Sequence, residues 1–168
     1  MLLYIFGGAG SGKSAFAEEQ IVRSAAGERL YVATMDPYGS EAQERIERHR
    51  ALRAGKGFRT VERPRALETL PLPPRCAVLL EDLTNLFANE WFGPAREGAA
   101  GRVLAGLRRL REQTALTVAV GNDLFADGMD YDADTLAYLR ALAALSCETA
   151  ALADGVFEVV CGIPLRYK

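Results

Sequence analysis

The feature that most constrains this chain is Gly7-Gly8-Ala9-Gly10-Ser11-Gly12-Lys13-Ser14, set directly behind the apolar run Leu2-Leu3-Tyr4-Ile5-Phe6. It satisfies G-x-x-x-x-G-K-[ST] and lies between a short buried strand and a helix read from Lys13 to about Ala25, the context this pattern requires. Glycines let the backbone curl so that successive N–H groups face one concavity, and the amino end of the following helix adds partial positive charge. Lys13 would bring an ammonium to the β- and γ-phosphates, and the Ser14 hydroxyl would be a ligand for Mg2+. The inference is a bound nucleoside triphosphate.

Further apolar runs continue the theme. Leu30 to Thr34 (LYVAT), the run CAVLLED ending at Glu81 and Asp82, and Leu116 to Val120 (LTVAV) read as buried strands, with Phe58 to Glu62 a shorter one. Helices are expected from Ser40 through the charged stretch SEAQERIERHRALR, over Leu83 to Trp91, Ala95 to Gln113 and Asp134 to Ala153, and the final strands fall in GVFEVVCG and PLRYK. LPLPP, Leu70 to Pro74, is a connector. Strands apolar on both faces and separated by helices predict an α/β, P-loop NTPase-like three-layer fold: a mostly parallel sheet with helices on both faces. Ligands gather beyond the carboxyl ends of such strands, where Gly7, Thr34, Glu81 and Asn122 would emerge together.

With 168 residues, about half of them apolar, one domain spanning 1–168 is expected. A formal net charge of −2 makes no general case for nucleic acid. The amino end lacks a basic leader and a long apolar stretch, so neither a secretion signal nor a membrane span is expected, and a cytoplasmic location is. Cys76, Cys147 and Cys161 fit neither a disulfide framework nor a zinc site, and their apolar contexts read as buried thiols.

Two further places carry chemistry. An acidic residue at the end of a second buried strand would hold hydrated magnesium, and Glu81 is the choice over Asp82, which can equally cap the helix from Leu83. His49 is the single histidine. Arg45, His49 and Arg53 recur every four residues, placing an imidazole and two guanidinium groups on one helical face. Such a face suits a nucleophilic imidazole kept neutral by nearby cations, or an anion clamp with no covalent role.

The chain resembles the bifunctional adenosylcobinamide kinase/adenosylcobinamide-phosphate guanylyltransferase family of cobalamin biosynthesis. GGAGSGKS, LYVAT, ERIERHRALR, FRTVE, VLLEDLTN and ADGVFEVVCGIPLRYK carry the likeness over almost the full length. The resemblance implies phosphorylation of the aminopropanol hydroxyl of adenosylcobinamide, then transfer of GMP from GTP to adenosylcobinamide phosphate through a guanylylated His49. It implies GTP, ATP and Mg2+ as bound groups and Lys13 as a catalytic partner of His49. Gly7, Gly8, Ala9, Gly10, Ser11, Gly12, Lys13 and Ser14 would hold the phosphates. Ala33, Thr34, Met35, Arg50, Ala51, Leu52, Arg53, Glu62 and Glu81 would complete the nucleotide site, with Ser14 and Glu81 on the metal. A homotrimer is also implied.

The likeness has departures. Where the family carries a segment like TNEVG and an arginine-rich stretch, this chain reads VGNDLFADGMDYDADTLAYLRAL, with Phe125 at the glycine. Arg53-Ala54 stands for an Arg-Pro pair, and Phe58 for a tryptophan. Two other readings of the residues stay open here: a P-loop small-molecule kinase without a covalent intermediate, and a nucleotide-binding regulatory protein without turnover.

Overall fold

The computed structural model describes residues 1–35, 47, 51, 53–125 and 128–168. Seven strands form one sheet: β1 (Leu2–Gly7), β2 (Arg29–Ala33), β3 (Phe58–Glu62), β4 (Ala77–Glu81), β5 (Leu116–Asn122), β6 (Gly155–Val160) and β7 (Ile163–Arg166). Their order is β3-β2-β4-β5-β1-β6-β7. All neighbouring pairs run parallel except β6 and β7, which pair antiparallel. The described α-helices are α1 (Lys13–Arg23), α2 (Leu83–Trp91), α3 (Ala99–Gln113) and α4 (Ala133–Leu152).

Both faces of the sheet are buried, which is why its strands read as unbroken apolar runs. Leu2, Tyr4, Leu30, Val32, Val78 and Leu80 face a core shared with Leu86, Phe87, Leu107 and Leu142 of α2, α3 and α4. Ile5, Tyr31, Leu79, Val118 and Val120 face the other way and pack on Ala17 and Ile21 of α1. The three-layer α/β fold is therefore the one expected, with β1 inside the sheet and its Gly7 end between the ends of β5 and β6.

Most element bounds agree with the sequence reading, and one moves. The helix expected from Ala95 begins at Ala99, because Gly98 at its cap takes φ 77°, a left-handed conformation that glycine adopts at little cost. The cysteine expectation is corrected: Cys76 is buried, but Cys147 and Cys161 are exposed. Cys147 lies on the outer face of α4, and Cys161 occupies the β6–β7 turn at φ 49°. An apolar sequence neighbourhood did not translate into burial there, since a helix has an outer face and a hairpin needs a turn. No described helix is long and apolar enough to cross a membrane.

Candidate nucleotide site

The loop between β1 and α1 is wound by glycines in the left-handed region, Gly10 at φ 69° and Gly12 at φ 93°, the latter capping α1. Gly8, Ala9, Gly10 and Gly12 are exposed, Ser11 and Ser14 half-buried, and Gly7 and Lys13 buried. Lys13 folds back so that its Nζ donates to the Gly8 carbonyl at 2.9 Å, which keeps its ammonium over the loop it is expected to serve.

The other wall of the loop comes from the far end of the chain. The Gly162 N–H donates to the Ser11 carbonyl at 2.8 Å. A Cβ at Gly7 would lie 2.5 Å from the Val159 carbonyl oxygen, and one at Gly12 would lie 3.2 Å from the Gly162 Cα. The β6–β7 hairpin thus presses on the loop where side chains have been dispensed with.

At the end of β4, on the other side of β5, Glu81 meets the loop: the Ser14 Oγ donates to its Oε1 at 2.8 Å. Burial pushes the Glu81 carboxyl up to about 7, opposed by the Ser14 hydrogen bond, raised further by Asp82 and lowered by Lys13. A hydroxyl and a carboxylate brought together from different elements beside a phosphate loop form an oxygen donor set that fits Mg2+ with most of its waters retained.

Asp82 takes the capping role. Its Oδ1 accepts the Asn85 N–H at the start of α2, and its Oδ2 accepts the Asn122 Nδ2 at 2.9 Å. Buried Thr34 clamps its backbone, donating from Oγ1 to the Asp82 carbonyl at 2.9 Å and accepting the Asp82 N–H at 2.8 Å. The ends of β2, β4 and β5 are therefore tied together, and the Asp123 N–H reaches the Gly7 carbonyl at 3.1 Å to include β1. The four loops expected to converge do so.

The remaining expected residues divide. Ala33 pairs in register with both Glu81 and Glu62. Ala33 and Met35 are half-buried, and Glu62 is exposed at the end of β3. His49, Arg50 and Leu52 lie outside the described residues, as do Arg45 and most of the helix expected from Ser40. Ala51 is exposed. Arg53 is buried, with its guanidinium carbon 3.3 Å from the centre of the Tyr31 ring and its Nη1 without a hydrogen-bond partner. A cavity of about 470 Å³ lies beside it along the edge strand β3, lined by Arg53, Ala54, Gly55, Gly57, Phe58 and Thr60.

Sequence reasoning missed the supporting amides. Asn89 on α2 donates through Nδ2 to the carbonyls of Thr34 and Pro64, and the Thr84 Oγ1 accepts the Asn122 N–H. For Thr84 the polar residues of VLLEDLTN, following an acidic strand end, were the available signal, and Asn89 lies beyond that segment. Gly162 gave none, because its role depends on the hairpin returning to the first loop. Among the described residues no group of three or more His, Cys, Asp or Glu gathers as a metal cluster.

Comparison with known proteins follows the same lines. A family model described as cobinamide kinase / cobinamide phosphate guanyltransferase matches residues 3–167. The bifunctional adenosylcobalamin biosynthesis proteins CobU of Escherichia coli (strain K12) and of Salmonella typhimurium (strain LT2) are each 30% identical over 184 aligned positions, covering all of both chains. Among solved structures, an ATPase of a bacterial type III secretion system superposes with TM-score 0.60 at 11% identity, covering 94% of this chain and 50% of that one. A second solved structure, of an isolated ATPase domain, superposes with TM-score 0.54 at 13% identity, covering 94% of this chain and 68% of that one. These two show the P-loop fold.

Proposed function

The chain belongs to the cobinamide kinase / cobinamide phosphate guanyltransferase family, and from that premise we propose that its phosphate loop seats the nucleoside triphosphate for both reactions, GTP in the transfer step, with His49 as the guanylyl acceptor. The observation that carries the reading is the meeting of Ser14 with Glu81 at 2.8 Å beside a buried Lys13.

In the kinase step, the hydroxyl oxygen of adenosylcobinamide attacks the γ-phosphorus of GTP or ATP. The bond from that phosphorus to the bridging oxygen breaks, the nucleoside diphosphate keeps the electron pair, and the hydroxyl proton passes to solvent. Gly8 to Gly12 direct backbone N–H groups at the phosphates, and Lys13 exchanges its Gly8 carbonyl for a phosphate oxygen. Ser14 and Glu81 would hold Mg2+, which supplies charge neutralisation on the departing phosphates.

In the transfer step, an imidazole nitrogen of His49 attacks the α-phosphorus of GTP, and the bond to the β-phosphate bridge breaks with pyrophosphate taking the electron pair. A phosphate oxygen of adenosylcobinamide phosphate then attacks the same phosphorus. The P–N bond breaks, and its electrons return to the ring. The covalent intermediate divides one difficult transfer into two in-line displacements. Arg50 would steady the charge on the phosphoryl oxygens, while Arg53, buried over Tyr31, is better placed to fix its segment against β2.

The resemblance also supports a cytoplasmic homotrimer. The exposed Ile163, Leu165 and Tyr167 on and beside edge strand β7 are apolar surface of the kind that subunits cover.

The test is incubation with GTP labelled at the α-phosphate. The denatured chain should retain label that is lost in acid and survives base, as a phosphoramidate does, and His49→Ala should abolish it. Turnover of adenosylcobinamide phosphate without any labelled chain would overturn the histidine step.

A further inference from the structure

We propose that the turn between β6 and β7 is a positioning element for the nucleotide: by holding the Ser11 carbonyl, the Gly162 N–H aims the Gly12 N–H at the phosphates. This rests on the nucleotide reading above and adds which remote residue orients the loop.

The first observation is the direction of two peptides. The Ser11 carbonyl accepts the Gly162 N–H at 2.8 Å, and the Gly7 carbonyl accepts the Asp123 N–H at 3.1 Å. In a trans peptide the carbonyl and the following N–H point opposite ways. Fixing the Ser11 carbonyl toward the hairpin therefore turns the Gly12 N–H away from it, at the residue that caps α1. Fixing the Gly7 carbonyl does the same for the Gly8 N–H. Glycines would otherwise leave these peptides free to rotate, and a donor oriented before the anion arrives spares that ordering cost on binding.

The second is how the donor itself is held. Val160 and Ile163 pair across the end of the hairpin, which leaves Cys161 and Gly162 as a two-residue turn at φ 49° and 81°. Positive φ at both positions is the tight form that matches the twist of the flanking strands. Its closing hydrogen bonds belong to Val160 and Ile163, so the Gly162 N–H is left to bond elsewhere. The approach is close: a Cβ at Gly12 would lie 3.2 Å from the Gly162 Cα.

The third is that the hairpin is secured without this bond. β6 pairs with β1 as well as with β7. At the end away from the turn, the Tyr167 ring stacks on Phe6 at 6.2 Å, and the Lys168 Nζ donates to the carbonyls of Ala151 and Ala153 at 3.0 and 2.6 Å. Reaching Ser11 therefore sets the conformation of the loop rather than the attachment of the hairpin.

Cys161 allows the donor to be deleted singly. Ligation of residues 1–160, as a thioester, to a synthetic peptide 161–168 gives the full chain on refolding, and an ester in place of the Cys161–Gly162 amide removes that N–H and no side chain. A second ester, between Arg166 and Tyr167, removes the N–H that donates to the Val156 carbonyl at 2.9 Å, a bond of the same hairpin away from the loop. Against the ligated all-amide chain, the Gly162 ester should weaken a fluorescent GTP analogue about three- to tenfold in the presence of Mg2+. The Tyr167 ester should leave that affinity within about twofold while lowering the urea midpoint at least as much. Recombinant Gly162→Ala should weaken the analogue by a similar factor: nothing lies within 4 Å of the added Cβ, but φ 81° disfavours an L side chain and moves the turn.

Full GTP affinity in both the Gly162 ester and Gly162→Ala would overturn the positioning role while leaving the nucleotide reading standing. Equal losses in the two esters would assign the bond to hairpin stability and overturn it as well. Absence of GTP binding by the recombinant wild-type chain would overturn the nucleotide reading and the positioning role together.

Discussion

Glu81 offers a perturbation whose sign depends on pH. Its carboxyl rises from an ordinary 4.5 to about 7 in the folded chain, chiefly because burial penalises the charged form. The folded state therefore holds a proton that the unfolded chain releases first. The stabilisation is fully present below pH 4.5 and is lost as pH rises through 7. At about 1.4 kcal/mol per decade of acidity, the whole shift corresponds to an upper bound of about 3 kcal/mol. Relaxation and water penetration around a newly ionised buried group reduce that cost, so about 1–2 kcal/mol is the expected loss. Glu81→Gln keeps an acceptor for Ser14 and removes the titration. Urea unfolding in EDTA, at about pH 5 and about pH 8, should show the wild type losing stability between the two and the variant losing about 1–2 kcal/mol less. At the higher pH the variant should bind Mg2+–nucleotide more weakly even where it is the more stable protein. Identical pH slopes for the two proteins would refute the argument that burial governs this carboxyl.

Other expectations are as direct. Lys13→Ala should weaken GTP binding by about tenfold to a hundredfold, as loss of a charge-assisted hydrogen bond does, with little change in unfolding midpoint; fluorescence titration and urea melts separate the two. Thr34→Val leaves the Asp82 N–H without its buried partner, while the Asp82 carbonyl keeps the Leu86 N–H, and should cost about 1–3 kcal/mol, read by denaturant unfolding. Gly106→Ala sets helix propensity against packing. Alanine gains about 1 kcal/mol in a helix, but its Cβ would lie 2.9 Å from the Cβ of fully packed Leu67, so a net loss of about 1–2 kcal/mol is expected. In a Leu67→Ala background the same change should become stabilising.

What could be read from the sequence was set by local patterns. The phosphate loop, the strands around it and Glu81 each announce themselves within a few residues, since a buried parallel strand is apolar throughout and a carboxylate at its end is conspicuous. The convergence of Gly7, Thr34, Glu81 and Asn122 followed from the general behaviour of such sheets. Thr34 was legible as a site residue but not as the clamp on Asp82, because that hydrogen bond joins residues 48 positions apart. Gly98 looked like any residue in a helical stretch, and only its left-handed conformation delays α3. Arg53 read as a partner of the imidazole across one helical face. The packing of its guanidinium on Tyr31 is a contact that no helical spacing encodes.

The Gly162–Ser11 hydrogen bond joins the loop after the first strand to the turn after the sixth. A ribosome has therefore finished almost the whole sheet before the anion cradle acquires its second wall. Until then the glycines of the first turn have nothing to lean on, and a half-made chain carries the motif without the grip. Any loosening of β6 and β7 would accordingly be felt first at a loop about 150 positions earlier in the sequence.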